Sequence, residues 1–178
     1  MATKYRYLSG EHVTYEAQVD SLIGTHMPYC WGCGPEAEQG LGLVPRLEGT
    51  TVLTDLEFAR RFEGGPGTVH GGAIAAFMDD LLGFIPVIYG SSGVTAKLDT
   101  NFIAPIPMGV TVHGAGWLSR TEGNKMWAEG TIEVDGKILV ETSALFVAID
   151  SGHFPRILEG LTEEQLERLK AYRSEYYP

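Results

Sequence analysis

The chain has 178 residues, of which 44% are hydrophobic and 20% charged, a balance typical of a soluble globular protein with one substantial core. Its formal net charge of -10 argues against non-specific nucleic-acid binding, because a phosphate-binding surface needs an excess of Lys and Arg. Residues 1–15 lack the apolar core of a signal peptide, and the most apolar run, residues 73–88, is interrupted by acids and short for a bilayer span. We therefore expect a cytoplasmic protein that does not cross a membrane.

The amino-terminal region is predicted to be an extension, residues 1–28, followed by a turn that holds both cysteines. These are Cys30 and Cys33 in C-W-G-C-G, where the glycines indicate a turn rather than the helix start of a redox C-x-x-C. His26 could be a third metal ligand, but a structural zinc needs four and no fourth is evident nearby. We expect two reduced structural cysteines and predict no metal and no cofactor, with metal binding and redox chemistry as the alternatives.

The middle of the chain combines one helix with several strands. A long, mostly apolar stretch over residues 70–85 predicts a helix that ends or kinks at Pro86. Alternating apolar residues predict the strands Thr51–Phe58, 94–102, Val110–Ser119, Lys125–Val134 and Lys137–Ile149. A loop is expected at residues 121–124 and a two-residue type I′ turn at Asp135-Gly136. The order predicts an α+β fold, an antiparallel sheet with one helix against it.

The strand that follows the helix shows the alternation of a half-buried strand. Its even-numbered positions, Val94 to Phe102, are mostly apolar, and its odd-numbered positions, Thr95 to Asn101, are polar. Thr95 is therefore predicted to lie on the polar face, opposite Val94.

The carboxyl-terminal region, residues 151–178, is predicted to be a tail with one short peripheral helix. The signal is Thr162-Glu163-Glu164-Gln165, which matches a capping box, with apolar residues at helical spacing after it. The predicted domain is thus residues 29–150, between the extension and the tail.

The long helix carries two adjacent acids in V-H-G-G-A-I-A-A-F-M-D-D-L-L-G. A helix that is apolar almost all round is a buried helix. Burying an ionised carboxylate costs on the order of several kcal/mol unless the carboxylate is paired, hydrogen-bonded or hydrated. Asp79 and Asp80 lie about 100° apart around the helix, so at most one of them is expected to be deeply placed.

The start of the helix predicts a site for negative charge. Its first amides lack partners within the helix and carry the positive end of the dipole, and Gly71-Gly72 lets another atom approach them. This is a suitable oxyanion hole. Because Gly71 and Asp79 are about 12 Å apart along one helix, a site that uses both would join two subunits with antiparallel helices.

Three segments together resemble one family. They are H-G-G-A-I-A-A-F-M-D-D-L-L-G, the upstream C-W-G-C-G-P-E-A-E-Q-G-L-G-L and the downstream V-T-A-K-L-D-T-N-F-I-A-P-I-P. They resemble the PaaI-like acyl-CoA thioesterases of the 4-hydroxybenzoyl-CoA thioesterase superfamily. The resemblance implies a hotdog fold, a curved antiparallel sheet wrapped around one long central helix. It also implies a homodimer, often a dimer of dimers, that hydrolyses an acyl-CoA at sites between subunits.

The resemblance also implies roles for individual residues. Gly71 matches the glycine whose amide polarises the thioester carbonyl, and His70 matches the histidine that shapes the site. Asp79 matches the carboxylate that acts as general base or nucleophile, and Thr95 matches the hydroxyl that positions the water. Some members carry an Asn six residues before the histidine as a second carbonyl-binding group, and here that position is Gly64.

Alternatives stay open for several of these residues. Asp79 could be an interface acid paired with a Lys or Arg, and Asp80 could be the working acid if the helix register differs. Besides Gly72, we name Arg60 and Arg61 as substrate-binding residues, since they could hold the CoA phosphates through charge-assisted hydrogen bonds. They could equally be a solvated pair near Glu57 and Glu63.

The main competing function is a non-catalytic protein that binds acyl-CoA or an acyl carrier but hydrolyses nothing. The missing second carbonyl-binding group allows it. A hotdog hydratase is a further alternative, but the His and acid pair that such chemistry needs is not evident in the sequence.

Overall fold

The computed structural model describes residues 21–148 and 162–167. Within them, seven strands form one sheet: β1 (Ser21–Leu22), β2 (Arg46–Glu48), β3 (Thr51–Glu57), β4 (Gly93–Phe102), β5 (Thr111–Glu122), β6 (Lys125–Val134) and β7 (Lys137–Ala148). A 3₁₀ turn (Arg60–Phe62) precedes the long helix α1 (Gly71–Ile88), and a short helix, α2, covers residues 163–167. Most of the predicted extension and tail, and Ile149, lie outside the described residues.

The sheet is antiparallel throughout, in the order β1-β2-β3-β5-β6-β7-β4. Tight hairpins join β5 to β6 and β6 to β7. The strand β4, which follows α1, crosses over to pair with β7 and ends the sheet. α1 packs against β3, β4, β5, β6 and β7. The predicted α+β arrangement of one antiparallel sheet and one central helix is thus confirmed.

The helix α1 is buried because ten of its side chains fill the core. By length and composition it could also cross a membrane, a test that buried core helices pass as well, and 56% of it is buried here. The helix was predicted to end or kink at Pro86, but it does not end there, since α1 continues to Ile88. Proline cannot donate to the preceding turn, but its carbonyl accepts from the amides of Tyr89 and Ser91, at 3.2 and 2.9 Å, and closes the helix just after it.

Local turn chemistry accounts for several boundaries. Asp135 and Gly136 have φ of 50° and 76°, as a type I′ turn requires, so that prediction is confirmed. In the predicted capping box, the Gln165 amide donates to Thr162 Oγ1 at 3.2 Å and the Thr162 amide donates to Gln165 Oε1 at 2.9 Å. The predicted loop at 121–124 is wrong in length, because β5 and β6 pair as far as Glu122 and Lys125.

The single alternation predicted for β4 is also wrong. The pairing of β4 with β7 shifts between Thr95 and Lys97, a bulge that changes which face the side chains occupy. Thr95 reaches α1, while Val94 and Phe102, predicted to lie on one apolar face of a half-buried strand, are 46% and 49% exposed. The apolar side of this edge strand is only partly covered within one protomer.

Glycines on β5 and β6 allow α1 to approach the sheet closely. A Cβ at Gly114 would lie 2.7 Å from the Phe77 ring, and one at Gly116 would lie 2.8 Å from Leu82 Cδ2. A Cβ at Gly130, which pairs with Gly116, would lie 2.5 Å from a backbone carbonyl oxygen. Side chains at these positions would push the helix away and displace the turns that carry the site.

Candidate functional site

The start of α1 presents two amides with different surroundings. His70 is the N-cap, and its Nδ1 accepts a hydrogen bond from the Gly72 amide at 2.8 Å. Among the described residues, no group accepts a hydrogen bond from the Gly71 amide. The exposed Gly71 amide therefore remains available to a ligand at the positive end of the helix dipole.

The loop before α1 is held in place through His70. The His70 amide donates to the Phe62 carbonyl oxygen at 2.8 Å. Gly64, which stands where some thioesterases carry a carbonyl-binding Asn, packs so closely that a Cβ there would lie 2.7 Å from His70 Cα. Real side chains do not tolerate that distance, so this loop has no room for the second group without rearranging.

The two predicted catalytic side chains outside the helix start meet each other. Thr95 Oγ1 donates a hydrogen bond to Asp79 Oδ1 at 2.8 Å. Across residues 21–148 and 162–167, Thr95 is the only hydrogen-bond partner of the half-buried Asp79, and no Lys or Arg pairs with it. One carboxylate oxygen is thus fixed, and the other is open to a water molecule or substrate.

One protomer does not bring Asp79 and Gly71 together. Both lie on the continuous helix α1, about 12 Å apart along its axis. Phe102, at the end of the edge strand β4, lies beside Gly71: a Cβ there would be 3.7 Å from the Phe102 ring. The free amide therefore adjoins the partly exposed apolar side of β4.

The two arginines predicted to bind substrate face different ways. Arg60 is 92% exposed, and its Nε lies 3.7 Å from a Glu63 carboxylate oxygen. Arg61 donates to the Gly40 carbonyl oxygen at 2.6 Å and stacks on the Phe62 ring. Arg61 thus ties the preceding loop to the 3₁₀ turn, and only Arg60 has a largely free side chain. Their role toward CoA stays a prediction.

A second group of reactive side chains lies between the amino-terminal turn and α1. The sequence alone did not show that all four of its members come together. This four-residue cluster consists of His26, Cys30, Cys33 and Asp80. Its four ligand-type atoms all lie within 4.8 Å of one another, so these residues could hold a metal. The sequence offered only three of them, because Asp80 is 47 residues beyond Cys33 and joins them through packing. For Asp80, the only signal in the sequence was the presence of an acid in an apolar helix.

The electrostatics of the cluster follow from burial and close contact. Burial raises the pKa of the Asp80 carboxyl above its usual range. Burial also disfavours a charged imidazole, but hydrogen bonds to Asp80 and Cys30 outweigh it and raise the pKa of His26 to about 9. A hydrogen bond with Cys33 is the main cause that lowers the pKa of Cys30 to about 3, while the pKa of Cys33 is raised. With no cation bound, the cluster thus favours a thiolate beside an imidazolium, and a metal ion would displace the proton from the imidazole.

Comparison with known proteins assigns the family. The thioesterase superfamily model matches residues 66–141. A solved thioesterase superfamily protein is 30% identical, with a TM-score of 0.63 over 74% of this chain and 68% of that one. The chain belongs to the thioesterase superfamily. The resemblance drawn from its motifs is confirmed, and so is the hotdog fold.

Two further relatives show how far the similarity extends. A mouse acyl-coenzyme A thioesterase, THEM4, is 38% identical over 120 residues, which are 64% of this chain and 51% of the relative. A phenylacetic acid degradation-related protein from Ralstonia eutropha is 25% identical in its solved structure, with a TM-score of 0.57 over 64% of this chain and 89% of that one. The chain spans about half the length of the curated relatives it matches.

The family match covers one group of residues and not the other. Residues 66–141 include the helix start, Asp79 and Thr95. They include only Asp80 of the four-residue cluster, whose other members come earlier in the chain.

Proposed function

We propose that the chain hydrolyses an acyl-CoA, or a related thioester, to a free acid and CoA at a site formed by two copies of the chain. The observation that carries this proposal is the fixed carboxylate of Asp79, bound by Thr95 on one oxygen, on a helix whose first amide is free. The name of the mouse relative, an acyl-coenzyme A thioesterase, supports the substrate class.

The Gly71 amide would stabilise the charge that develops on the carbonyl oxygen. When a nucleophile attacks the acyl carbon, the C=O π electrons move to oxygen, and the tetrahedral intermediate carries an oxyanion there. An N–H at the positive end of a helix dipole binds the oxyanion more strongly than the neutral carbonyl, and so lowers the barrier. His70 acts indirectly, because it occupies the Gly72 amide and sets the geometry of the first turn.

Asp79 would supply the nucleophile. As a general base, its free oxygen takes a proton from water while the water oxygen bonds to the acyl carbon. Collapse of the intermediate breaks the C–S bond, and the CoA thiolate takes the proton back from Asp79. As a nucleophile, Asp79 would instead attack the acyl carbon and expel the CoA thiolate, which forms a mixed anhydride; water then cleaves it to the free acid and the Asp79 carboxylate, and the water's remaining proton goes to the thiolate. The Thr95 hydroxyl donates a hydrogen bond to Asp79 Oδ1, so its oxygen can accept a hydrogen bond from the same water.

The second copy is needed for geometric reasons. An acyl carbon within reach of Gly71 is about 12 Å along the helix from Asp79 of the same chain, too far for contact, whereas an antiparallel α1 from a second copy reverses the order. Apolar residues in and just after β4 offer contact area for that copy, since Val94, Phe102 and Ile103 are 46%, 49% and 51% exposed. We propose a homodimer, which can pair into a dimer of dimers, and keep the cytoplasm as its proposed location.

The test is release of free thiol from a panel of acyl-CoAs. Asp79→Asn should lower kcat by about 10²–10⁴-fold, because an amide cannot accept the proton or attack the carbonyl. Asp99→Asn is the matched control, an exposed carboxylate paired with Lys97, and should retain full activity.

Other outcomes would redirect the proposal. Tight acyl-CoA binding without thiol release would identify a binding protein, which the glycine at position 64 already allows. Conversion of an enoyl-CoA to a hydroxyacyl-CoA would identify a hydratase. Thiol release that survives Asp79→Asn would show that another group provides the nucleophile.

A further inference from the structure

The four-residue cluster has the donor set of a metal site. It offers an imidazole nitrogen, two sulfurs and a carboxylate oxygen. The two cysteines have the C-x-x-C spacing that is common in structural zinc sites. We infer that one zinc ion binds between the amino-terminal turn and α1, with His26 Nδ1, Cys30 Sγ, Cys33 Sγ and a carboxylate oxygen of Asp80 as its ligands.

The distances within the cluster fit tetrahedral coordination. Zinc lies about 2.3 Å from sulfur and about 2.0–2.2 Å from nitrogen or oxygen, so tetrahedral ligand atoms are about 3.3–3.8 Å apart. His26 Nδ1 is 3.1 Å from Asp80 Oδ1, and Cys30 Sγ is 3.0 Å from that oxygen. Cys33 Sγ lies 3.4 Å from His26 Nδ1 and 3.7 Å from Asp80 Oδ1. The remaining two pairs, which both involve Cys30 Sγ, also lie within 4.8 Å, so side-chain adjustments of up to about 1 Å would complete the tetrahedron.

Asp80 provides a second, independent sign that a ligand belongs here. Its side chain is only 9% exposed, and its Oδ2 is buried without a hydrogen-bond partner among the described residues. A buried carboxylate oxygen without a partner is costly, and native proteins rarely leave one. A divalent cation would balance the carboxylate charge, and a small rotation would let either oxygen coordinate it.

The surrounding residues hold the ligands in place. The His26 ring stacks on Phe84, with centroids 3.8 Å apart and planes at 21°, and lies against Gly83 of the same helix. The backbone amide of His26 donates to Cys33 Sγ at 3.2 Å, a bond that stabilises a thiolate. Gly32, between the cysteines, is required because a Cβ there would lie 2.1 Å from Asp80 Cγ. Ligands positioned before binding are typical of a built site.

A redox role explains fewer of these features. A disulfide would use the two sulfurs but leave Asp80 and His26 buried without a function, and the orphan oxygen would remain. Zinc uses all four groups, prefers this mixture of sulfur, nitrogen and oxygen, and needs no electron donor or acceptor. Four protein ligands leave no open position, so the site would be structural and not catalytic.

Such an ion would fasten the turn around residues 26–33 to the middle of α1, next to Asp79. It would therefore stabilise the orientation of the helical turn that carries the proposed base. The site is separate from the proposed hydrolysis, and neither inference depends on the other.

The test is Co²⁺ and Zn²⁺ binding to the full 178-residue chain, kept reduced and freed of metal by dialysis against a chelator. Co²⁺ should bind with a stoichiometry of about one per chain and give thiolate-to-cobalt charge-transfer absorption with the intense d–d bands of a tetrahedral site. Zn²⁺ should abolish this spectrum and raise the melting temperature, because it binds the folded state. Absence of the charge-transfer absorption in the unmodified chain would overturn the proposal.

Two variants and one matched control test the ligand set. Asp80→Asn and Cys33→Ser should each weaken Zn²⁺ binding by more than about 100-fold, since loss of a ligand exceeds the effect of changes around one. Asp79→Asn, one residue along the same helix, should leave Zn²⁺ affinity unchanged although it abolishes hydrolysis. Tight binding that survives Asp80→Asn, or equal weakening by Asp79→Asn, would refute this four-ligand site. If a variant does not fold, the cobalt spectrum of the unmodified chain still decides.

Discussion

Gly71 and Gly72 are neighbours, but the structure gives their amides different surroundings. The Gly72 amide is bound by the side chain of His70, and the Gly71 amide is free among the described residues. An oxyanion hole at this helix start would therefore consist of one amide and the helix dipole. This makes the Gly71 N–H the single group whose removal should affect catalysis most at this end of the site.

Gly71→Pro should test that amide without disturbing the helix. Proline is favoured at the first helical position, and His70, with φ of −65° and ψ of 131°, has the extended conformation that a residue before proline adopts. The variant lacks only the N–H, so kcat/KM should fall by about 10²–10³-fold with the fold intact.

Gly71→Ala is the control for this prediction, because it keeps the N–H and its Cβ would lie at an ordinary 3.7 Å from the Phe102 ring. Alanine should therefore retain most of the activity. Thiol release by both variants, beside their circular dichroism spectra, gives the answer. Equal activity of the alanine and proline variants would exclude the amide from catalysis.

At this scale, the sequence could predict residues that the family resemblance supplies but not which other segments pack around them. Asp79 and Thr95 were named from two segments of that resemblance, and their side chains are in contact, while their catalytic roles stay proposals. The partners of Asp80 could not be predicted, because they depend on how residues 26–33 fold back over the helix. Single residues of a cluster carry little signal until tertiary packing brings them together.

At the scale of elements, periodicity predicted the helix and most strands. The predictions failed where a local feature, a bulge or a proline, changed the face or the end of an element. Alternation could not reveal the bulge in β4, because an inserted residue changes the face without changing the composition. Pro86 predicted a helix end or kink at the proline, but α1 continues two residues beyond it, because one missing amide donor near the helix end does not stop the helix. The packing of α1 depends on a feature that alternation also hides, the glycines of β5 and β6.

Gly130→Ala should destabilise the protein. The new Cβ would lie 2.5 Å from the Ala115 carbonyl oxygen and 2.9 Å from Leu82 Cδ2, and the backbone contact cannot be relieved by a side-chain rotation. Overpacking of this kind costs about 1–3 kcal/mol in the free energy of unfolding, which denaturant titration measures. Gly71→Ala, with no contact below 3.7 Å, should not lower that free energy. A fully stable Gly130→Ala protein would mean that Gly130 lies farther from the Ala115 carbonyl oxygen and from α1 than the structure shows.

At the scale of the whole molecule, one protomer holds every part of the proposed site but not the site itself. Gly71 and Asp79 lie on one helix, and the exposed apolar side of β4 adjoins the helix start. In a dimer with two-fold symmetry, every contact between the chains occurs twice. A dimer with antiparallel helices would therefore contain two equivalent sites, each with an amide from one chain and a carboxylate from the other. This arrangement can be tested by mixing defects.

Co-expression of Gly71→Pro and Asp79→Asn chains with different affinity tags yields mixed dimers that two successive purifications isolate. If each site uses Gly71 of one chain and Asp79 of the other, a mixed dimer has one site with both defects and one intact site. Thiol release should then recover to about half of the unmodified level, although each variant alone is inactive. Two differently tagged copies of Asp79→Asn, purified in the same way, should stay inactive. If both residues served a site within one chain, every site would carry one defect, and a stable mixed dimer would be no more active than its parents.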